Sequence, residues 1–301
     1  MIMAVKNGID VSAWQEKIDW DKAKSEIDFV ILRLGYGKNT VDKYAERNIA
    51  ELNRLGIPYG VYWFSYAYTV EMARNEARSA IAYLQNLGAK LSYPVYFDWE
   101  YDSRKYAAKN GVNVNNLLLF NMATAFCAEV EAAGYYPGIY ANPDYINNYF
   151  GEDIFKEFDL WLAHYVNKQS RDVKLWQYSS SGKVSGISGN VDMNRCYYDY
   201  PSIIGKGATA EKETEEKSED ESEVVKTVNI ELSVLRNGAK GRQVGTVQRL
   251  LMALGYDLGR YGADGVFGDV TEAAVRAFQK AKKLSVDGVV GKNTWNALLK
   301  G

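Results

Sequence analysis

The sequence is poor in histidine and cysteine, and this narrows the chemistry open to it. A Ser-His-Asp triad, a Cys-His pair or a histidine-rich zinc site would each have to include the single histidine, His164, for which we expect a structural role. The two cysteines, Cys127 and Cys196, form no CxxC pair and predict no disulfide framework. Cys127 lies in an apolar helical run and is expected to be a buried thiol.

Long apolar runs and a strong charge of one sign are also absent. No stretch of 18 apolar residues occurs, so no membrane span or membrane insertion is predicted. The first residues, MIMAVKNGIDVS, lack a charged start followed by an apolar stretch, and therefore predict no secretory signal. The net charge of −2 gives no indication of a nucleic-acid partner. The oligomeric state is left undetermined.

Aromatic residues, in contrast, are plentiful, with 23 tyrosines and 7 tryptophans. So many rings suit a groove that stacks on flat ligands such as sugars. Any single ring is explained equally well as a half-buried surface residue.

The first 200 residues alternate between apolar runs and amphipathic stretches. Helical stretches at residues 43–55, 70–87 and 115–133 separate the early runs. This order predicts an α/β fold with a largely parallel sheet covered by helices. The eight candidate strands, which indicate a small barrel with irregular closure, are residues 8–12, 29–35, 59–66, 93–100, 136–142, 159–165, 173–180 and 189–194.

A change of composition divides the chain into three parts. Residues 1–204 form the predicted barrel. Residues 205–229 are predicted to be an acidic flexible linker, because the core of this segment, EKETEEKSEDESE, has no apolar residue. Residues 230–301 carry 11 Lys and Arg against 6 Asp and Glu, and such a basic module suits an anionic surface such as a bacterial wall.

A short repeat marks this last part. Asp264–Gly268 is followed by Thr271, and 23 residues later Asp287–Gly291 is followed by Thr294. Each unit is typical of a glycine-bearing turn, a threonine N-cap and the start of a helix. With an amphipathic helix before them, the two units predict a small three-helix all-α domain.

Two carboxylates at the end of one apolar run are the main catalytic candidates. Asp98 and Glu100 stand two residues apart, so on a strand their side chains share a face, with Cα atoms about 6.6 Å apart. Their repulsion predicts that one pKa rises while the other stays low, which is the asymmetry that glycoside hydrolysis needs. A lone DxE is nevertheless more often a harmless strand end.

Two further acids strengthen this hypothesis. Asp10 and Asp192 lie in predicted strands among apolar neighbours, where an unpaired acid is costly. Because the strand ends of a closed barrel share one mouth, we expect all four acids to converge there. Candidate groove walls, each of which is alternatively a core residue, are Tyr62, Tyr66, Tyr140 and Trp176.

The motifs GIDVS, YPVYFDWE and NVDMN, in this order and spacing, resemble glycoside hydrolase family 25, the Chalaropsis-type lysozymes, over roughly residues 5–200. The resemblance implies a (β/α)5(β)3 barrel and cleavage of the β-1,4 bond between N-acetylmuramic acid and N-acetylglucosamine. It implies that Glu100 is the general acid, Asp98 the second carboxylate, and Asp10 and Asp192 supporting acids. Tyr62 matches a tyrosine of the third strand.

The motifs DGVFG and DGVVG resemble the three-helix peptidoglycan-binding domain, over about residues 235–299. Together the two resemblances imply a muramidase whose partner is cell-wall peptidoglycan, acting without a metal or another cofactor. Asp98 would either attack the anomeric carbon or orient the acetamido group of the substrate.

The absence of a visible signal suggests a phage endolysin, held in the host cytoplasm until it acts at the wall. The alternatives are a bacterial autolysin of the same activity and a non-catalytic wall-binding protein. Another glycosidase such as a chitinase is a further alternative, although the longer chitinase pattern DxxDxDxE is missing.

Overall fold

A computed structural model describes residues 4–209, 234–259 and 262–300. The strands are β1 (Lys6–Val11), β2 (Phe29–Tyr36), β3 (Thr40–Val41), β4 (Tyr59–Phe64), β5 (Val95–Asp98), β6 (Pro137–Ala141), β7 (Asp159–Ala163), β8 (Leu175–Gly182) and β9 (Val191–Cys196). The helices are α1 (Trp20–Ala23), α2 (Ala45–Leu55), α3 (Val70–Asn86), α4 (Tyr101–Lys109), α5 (Asn116–Ala132), α6 (Pro143–Tyr145), α7 (Ile154–Glu157), α8 (Tyr200–Thr209), α9 (Arg242–Ala253), α10 (Asp269–Ala281) and α11 (Lys292–Lys300).

Eight of the strands close into a barrel. The order runs β1, β9, β8, β7, β6, β5, β4, β2, and β2 pairs with β1 to complete the ring, while the short β3 pairs with β2. Neighbours from β1 through β2 and β4 to β8 are parallel, whereas β9 is antiparallel to both β8 and β1. The predicted α/β barrel with irregular closure is therefore confirmed. Its last connection, from β8 to β9, is too short for a crossover helix.

Side chains alternate between the inside of the barrel and its outer face. The interior is filled by rings that pack edge to face, with Trp161 at 4.7 Å from Tyr140 and 5.1 Å from Tyr96. A glycine opposite leaves room for them, since a Cβ on Gly138 would lie 2.4 Å from Cε1 of Tyr96. The rings fill the lower barrel, so that polar inward-facing residues can collect at the mouth.

The helix α5 is buried on more than one side. Asn115 caps its first turn by accepting a hydrogen bond from the backbone N–H of Leu118. Met122, Phe126 and Val130 are buried in the core between barrel and helices. Ala128 faces elsewhere and is buried in the core of the C-terminal domain. A helix with apolar residues on all faces is typical of such a double contact.

The C-terminal domain consists of α9, α10 and α11, and its repeat is built around two glutamines. Nε2 of Gln248 donates to Oδ1 of Asp264 and to Oγ1 of Thr271, both at 2.9 Å. In the second unit, Gln279 contacts Asp287 at 2.8 Å and Thr294 at 3.1 Å in the same manner. The three-helix prediction is confirmed.

The prediction that the two threonines are N-caps is wrong. Gly268 is the N-cap of α10, and Thr271 lies inside the first turn, as Thr294 does in α11. Their hydroxyls serve the buried glutamines instead, because a buried amide must find a partner for each of its polar atoms.

Ion pairs connect the C-terminal domain to the barrel domain. Arg249 of α9 is 5% exposed, forms ion pairs with Glu131 of α5 and, at 2.8 Å, with Glu157 of α7, and covers the ring of Phe158 at 4.9 Å. The two domains therefore share an interface with a desolvated cation at its centre.

Most of the predicted acidic linker, residues 210–229, lies outside the described residues. Its first part does not, because α8 continues through Thr209 into the segment expected to be a linker. Within the described part of the chain, no helix is both long and apolar enough to cross a membrane.

Candidate active site

Four acidic side chains meet at the mouth of the barrel. Asp10 of β1 stands directly opposite Asp192 of β9 in the antiparallel ladder. Asp98 ends β5, and Glu100 follows it as the N-cap of α4, where its backbone N–H donates to Oγ of Ser103 at 3.1 Å. Each of the four shifts the pKa of at least one other. The fold therefore brings together the four acids that the sequence pointed to.

Asp10 is held by two amides. Its Oδ2 accepts hydrogen bonds from Nε2 of Gln177 at 2.8 Å and from Nδ2 of Asn194 at 2.7 Å. These bonds lower its pKa, but burial and the charge of Asp192 outweigh them and raise the pKa of Asp10 to about 8. Burial also raises the pKa of Asp192, to about 6. Burial therefore favours the protonated form of Asp10 much more than in an exposed acid.

Asp98 and Glu100 each shift the pKa of the other. Asp98 is only 3% exposed, and burial, followed by the nearby charge of Glu100, raises its pKa far above the usual range. Burial also raises the pKa of Glu100, while a hydrogen bond from Asp98 lowers it. Their titrations are therefore linked, and the burial of both favours a state in which the pair holds one proton. The expectation that one partner would keep a low pKa is wrong, because burial acts on both.

A cation lies next to the acids. The guanidinium of Arg33, on the inner face of β2, lowers the pKa of Asp98 in opposition to the burial. Nε of Arg33 is fixed by Oδ2 of Asp42 at 2.8 Å, and Asp42 is also bound by the backbone N–H of Ala13 at 2.9 Å. The ion pair thereby joins the inner wall of the pocket to the loop that follows β1.

Three of the four predicted groove aromatics adjoin the acids. Tyr62 and Tyr140 are inward-facing, and the charge of Asp98 contributes to the raised pKa of each hydroxyl. Tyr140 donates a hydrogen bond to Oε1 of Gln177 at 3.0 Å. Tyr66 is half-buried beyond the end of β4, with its ring 5.1 Å from that of Tyr106.

The fourth aromatic, Trp176, is not brought to the acids. It stands next to Gln177 in β8 and therefore points to the opposite face of the sheet. Its Nε1 donates to the carbonyl oxygen of His164 at 2.8 Å. The ring of His164 contacts Oγ of Ser170 at 2.7 Å, which places its side chain in a loop contact, as the structural reading of His164 predicted.

Several residues of the site were missed from the sequence. Gln177 and Asn194 bind Asp10. The sequence could have indicated them only through strand alternation, which places every second side chain of β8 and β9 on the inner face. The Arg33–Asp42 pair carried no signal at all. The rim of the barrel mouth is formed by exposed rings at or after the ends of the strands, namely Trp14, Tyr36, Tyr101, Tyr106 and Tyr165.

Residues 4–209, 234–259 and 262–300 show no candidate metal centre. No group of three or more His, Cys, Asp or Glu side chains there has the arrangement that would hold a metal ion. The mouth is instead an acid-rich pocket with aromatic walls, equipped for proton transfer and for contact with a developing positive charge.

Comparison with known families and proteins agrees with this geometry. Residues 9–187 match the model of glycosyl hydrolases family 25, and residues 240–298 match the peptidoglycan binding domain. Among curated proteins, the chain is 24% identical to the autolytic lysozyme of Clostridium acetobutylicum, over 96% of this chain and 78% of that protein. It is 26% identical to lysozyme M1 of Streptomyces globisporus, over 62% of this chain and 66% of that protein.

Among solved structures, the chain is similar to the modular autolysin LytC of Streptococcus pneumoniae, solved in complex with a synthetic peptidoglycan ligand. The sequence identity is 33% and the TM-score 0.57, and the match covers 64% of this chain but 46% of LytC. The chain thus spans less than half the length of that relative. From its barrel, its acids and the match over residues 9–187, the chain belongs to glycosyl hydrolases family 25 and is a glycoside hydrolase of the lysozyme class with a second, peptidoglycan-binding domain.

Proposed function

We propose that the chain hydrolyses the β-1,4 bond between N-acetylmuramic acid and N-acetylglucosamine in bacterial peptidoglycan. The observation that carries the proposal is the buried pair of Asp98 and Glu100, beside Asp10, in a pocket walled by tyrosines. A polysaccharide needs an acid for the departing oxygen and an anion beside the sugar, and this pair supplies both.

In the proposed reaction, Glu100 donates a proton to the glycosidic oxygen and then activates a water molecule. Asp98 faces the sugar as its anion. Its Oδ1 is buried and has no hydrogen-bond partner among the described residues, so it is free to accept the N–H of the 2-acetamido group of the substrate. This favours an acetamido-assisted route over direct attack by Asp98, because an oriented acetamido oxygen supplies the nucleophile.

Asp10 and Asp192 act as supporting acids in this scheme. Protonated Asp10 limits the negative charge of the pocket, and it is positioned by Gln177 and Asn194. Tyr62, Tyr66 and Tyr140 are proposed to contact the sugar rings. No step requires a metal or another cofactor.

Mass spectrometry of digested peptidoglycan tests the linkage. We expect new fragments with reducing N-acetylmuramic acid ends. Fragments with reducing N-acetylglucosamine ends, or the release of peptides without glycan cleavage, would contradict the proposal. Intact chitin serves as the control polymer, and equal cleavage of chitin would favour the chitinase alternative.

We further propose that residues 1–204 are the catalytic domain, 205–229 a linker and 230–301 the wall-binding domain. The inactive Glu100→Gln chain should sediment with insoluble peptidoglycan, since holding the enzyme on its polymer raises the effective substrate concentration. A Glu100→Gln chain that stays in the supernatant would contradict the binding role.

Two biological settings fit this activity, a phage endolysin that acts after the host membrane is opened and a bacterial autolysin. The similarity to LytC and to an autolytic lysozyme supports the second. Expression in a susceptible host separates them. An endolysin lyses cells only when the membrane is permeabilised, whereas an autolysin reaches the wall of untreated cells.

A further inference from the structure

A second groove lies on the outer face of the barrel. It has a volume of about 470 Å³ and runs between the loop after β7 and the antiparallel strands β8 and β9. Its lining contains no acidic residue and consists of Tyr165, Val166, Asn167, Trp176, Tyr178, Ser179, Ser180, Ser181 and Arg195. Trp176, which the sequence pointed to as a groove wall, thus lines a groove, but on the other side of the sheet from the acids.

One wall of this groove is an open strand edge. β8 pairs with β7 only as far as Gln177, opposite Ala163, and then continues to Gly182 with partners on β9 alone. In the described part of the chain, no strand lies beside residues 178–182 on the β7 side. The N–H of Ser181 donates to Oγ of Ser179 at 3.2 Å, and the rest of such an edge carries backbone N–H and C=O groups that an extended peptide can pair with.

A cation stands beside this edge. The guanidinium of Arg195 lies over the ring of Tyr178 at 4.6 Å and near that of Trp176 at 5.9 Å, so the rings hold it in place. Among the described residues no carboxylate pairs with Arg195, whereas the guanidinium of Arg33 is fixed by Asp42. A preorganised guanidinium without a counter-ion matches a carboxylate, which it can bind through two hydrogen bonds.

The groove is continuous with the active site through one side chain. Tyr165 lines the groove, and its hydroxyl donates to Oε1 of Gln177 at 2.9 Å, while Nε2 of the same glutamine donates to Asp10. A ligand in the groove is therefore one side chain away from the residues that hold the acids.

We propose that this groove binds the peptide attached to the muramic acid of peptidoglycan, with a peptide carboxylate on Arg195 and the peptide backbone along the edge of β8. The proposal rests on the proposed function, since it assumes that the glycan occupies the barrel mouth. The open edge fits a peptide rather than another sugar, and the single guanidinium fits a carboxylate rather than a polyphosphate, for which more cations would be needed. The groove thereby makes the enzyme prefer peptide-bearing glycan.

The first test compares Arg195→Gln with wild type on two substrates, peptide-bearing glycan strands and the same strands stripped of peptide by an amidase. We expect kcat/KM to fall about tenfold on the peptide-bearing strands, which corresponds to one lost charge-assisted bond, and to stay unchanged on the stripped strands. The control is Lys183→Gln, an exposed cation that binds the carbonyl oxygen of Gly189 outside the groove. An equal loss on both substrates, or no loss on either, overturns the proposal.

The second test does not depend on catalysis. A synthetic muramyl-type stem peptide is titrated into the full Glu100→Gln chain while NMR follows the indole N–H of Trp176. We expect a saturable shift that is lost in Arg195→Gln and weakened when the carboxylates of the peptide are amidated. If the free-acid peptide causes no shift, the groove assignment is overturned even if wild type cleaves the wall. If the shift is saturable but wild type cleaves no glycan, only the proposed function is overturned.

Discussion

Gln177 and Asp10 are joined by a hydrogen bond of 2.8 Å between Nε2 of the amide and Oδ2 of the acid, although 167 positions separate them in the chain. The same glutamine accepts the hydroxyls of Tyr140 and Tyr165 at its Oε1. It thus connects an inward-facing ring and a rim ring to the acid-rich pocket.

Gln177→Glu tests this connection with little change of shape. The carboxylate still accepts the two tyrosine hydroxyls but removes the donor that faces Asp10, and its charge raises the pKa of Asp10 further. We expect kcat at pH 7 to fall about tenfold or more, because Asp10 loses the amide donor that positions it and gains an acidic neighbour. The measurement is the kcat profile between about pH 4 and 8.

The matched control is Gln169→Glu, at a residue whose Nε2 donates to the carbonyl oxygen of Val173 in the loop before β8. A Gln177→Glu profile that is superimposable on wild type would show that the amide has no influence on the acids.

Neutral replacements of the catalytic pair should separate activity from stability. Glu100→Gln and Asp98→Asn are expected to lower wall lysis by roughly 10²- to 10⁴-fold, the usual contribution of acid-base catalysis. Tm should hold or rise, because both positions are already desolvated and resist ionisation. Turbidity clearing and thermal unfolding are the measurements, with the exposed Glu46→Gln of α2 as control. Lysis at the wild-type rate by Glu100→Gln would remove Glu100 from the proposed reaction.

The pH dependence of stability should reveal a buried acid behind the pocket wall. Glu76 of α3 accepts hydrogen bonds from Oγ of Ser65 at 2.5 Å and from the backbone N–H of Tyr66 at 3.0 Å. Burial outweighs these bonds and raises its pKa from 4.5 to about 7. Folding therefore favours the protonated acid, and this contribution to stability is fully present below about pH 4.5 and is lost as the pH rises to about 7.

In Glu76→Gln this dependence disappears. We expect the Tm of wild type to fall more steeply than that of the variant between pH 4.5 and pH 7. Asp10 and Asp192 titrate in the same window but are present in both proteins, so the difference between the two curves isolates Glu76. Parallel curves would mean that Glu76 is ionised throughout this range.

Arg249 should control how the two domains unfold. Removing this buried cation takes one ion-pair partner from each of Glu131 and Glu157, a loss of about 3 kcal/mol or more. We expect Arg249→Ala to convert a single calorimetric transition into two, one for each domain. The control is Arg276→Ala, which breaks an exposed pair with Glu272 inside α10. One unchanged transition in Arg249→Ala would mean that the ion pairs do not couple the domains.

The local patterns of the sequence were sufficient for the elements and for the catalytic candidates. All eight predicted strands are present, because alternating or continuous apolar residues can bury only as strands between amphipathic helices. Asp10, Asp98, Glu100 and Asp192 stood out because an acid among apolar neighbours is costly unless it is paired or functional.

The partners of those acids depended on the tertiary structure. Gln177 and Asn194 are ordinary polar residues in the sequence, and only the antiparallel return of β9 brings Asp192 and Asn194 to the mouth. The same return leaves the edge of β8 open beside Arg195. Trp176 lies on the outer face of β8 because it alternates with the inward-facing Gln177. The alternation can be read from the sequence, but the choice between the inner and outer face requires the structure.

The sequence by itself determined which residues are apolar, which acids are out of place and where helices and strands alternate, since these are properties of neighbours along the chain. Only the tertiary structure decided that burial raises the pKa of both Asp98 and Glu100, and that Arg249 docks the second domain on α5. Desolvation and ion pairing depend on what surrounds a charge in space, and chain neighbours supply little of that environment.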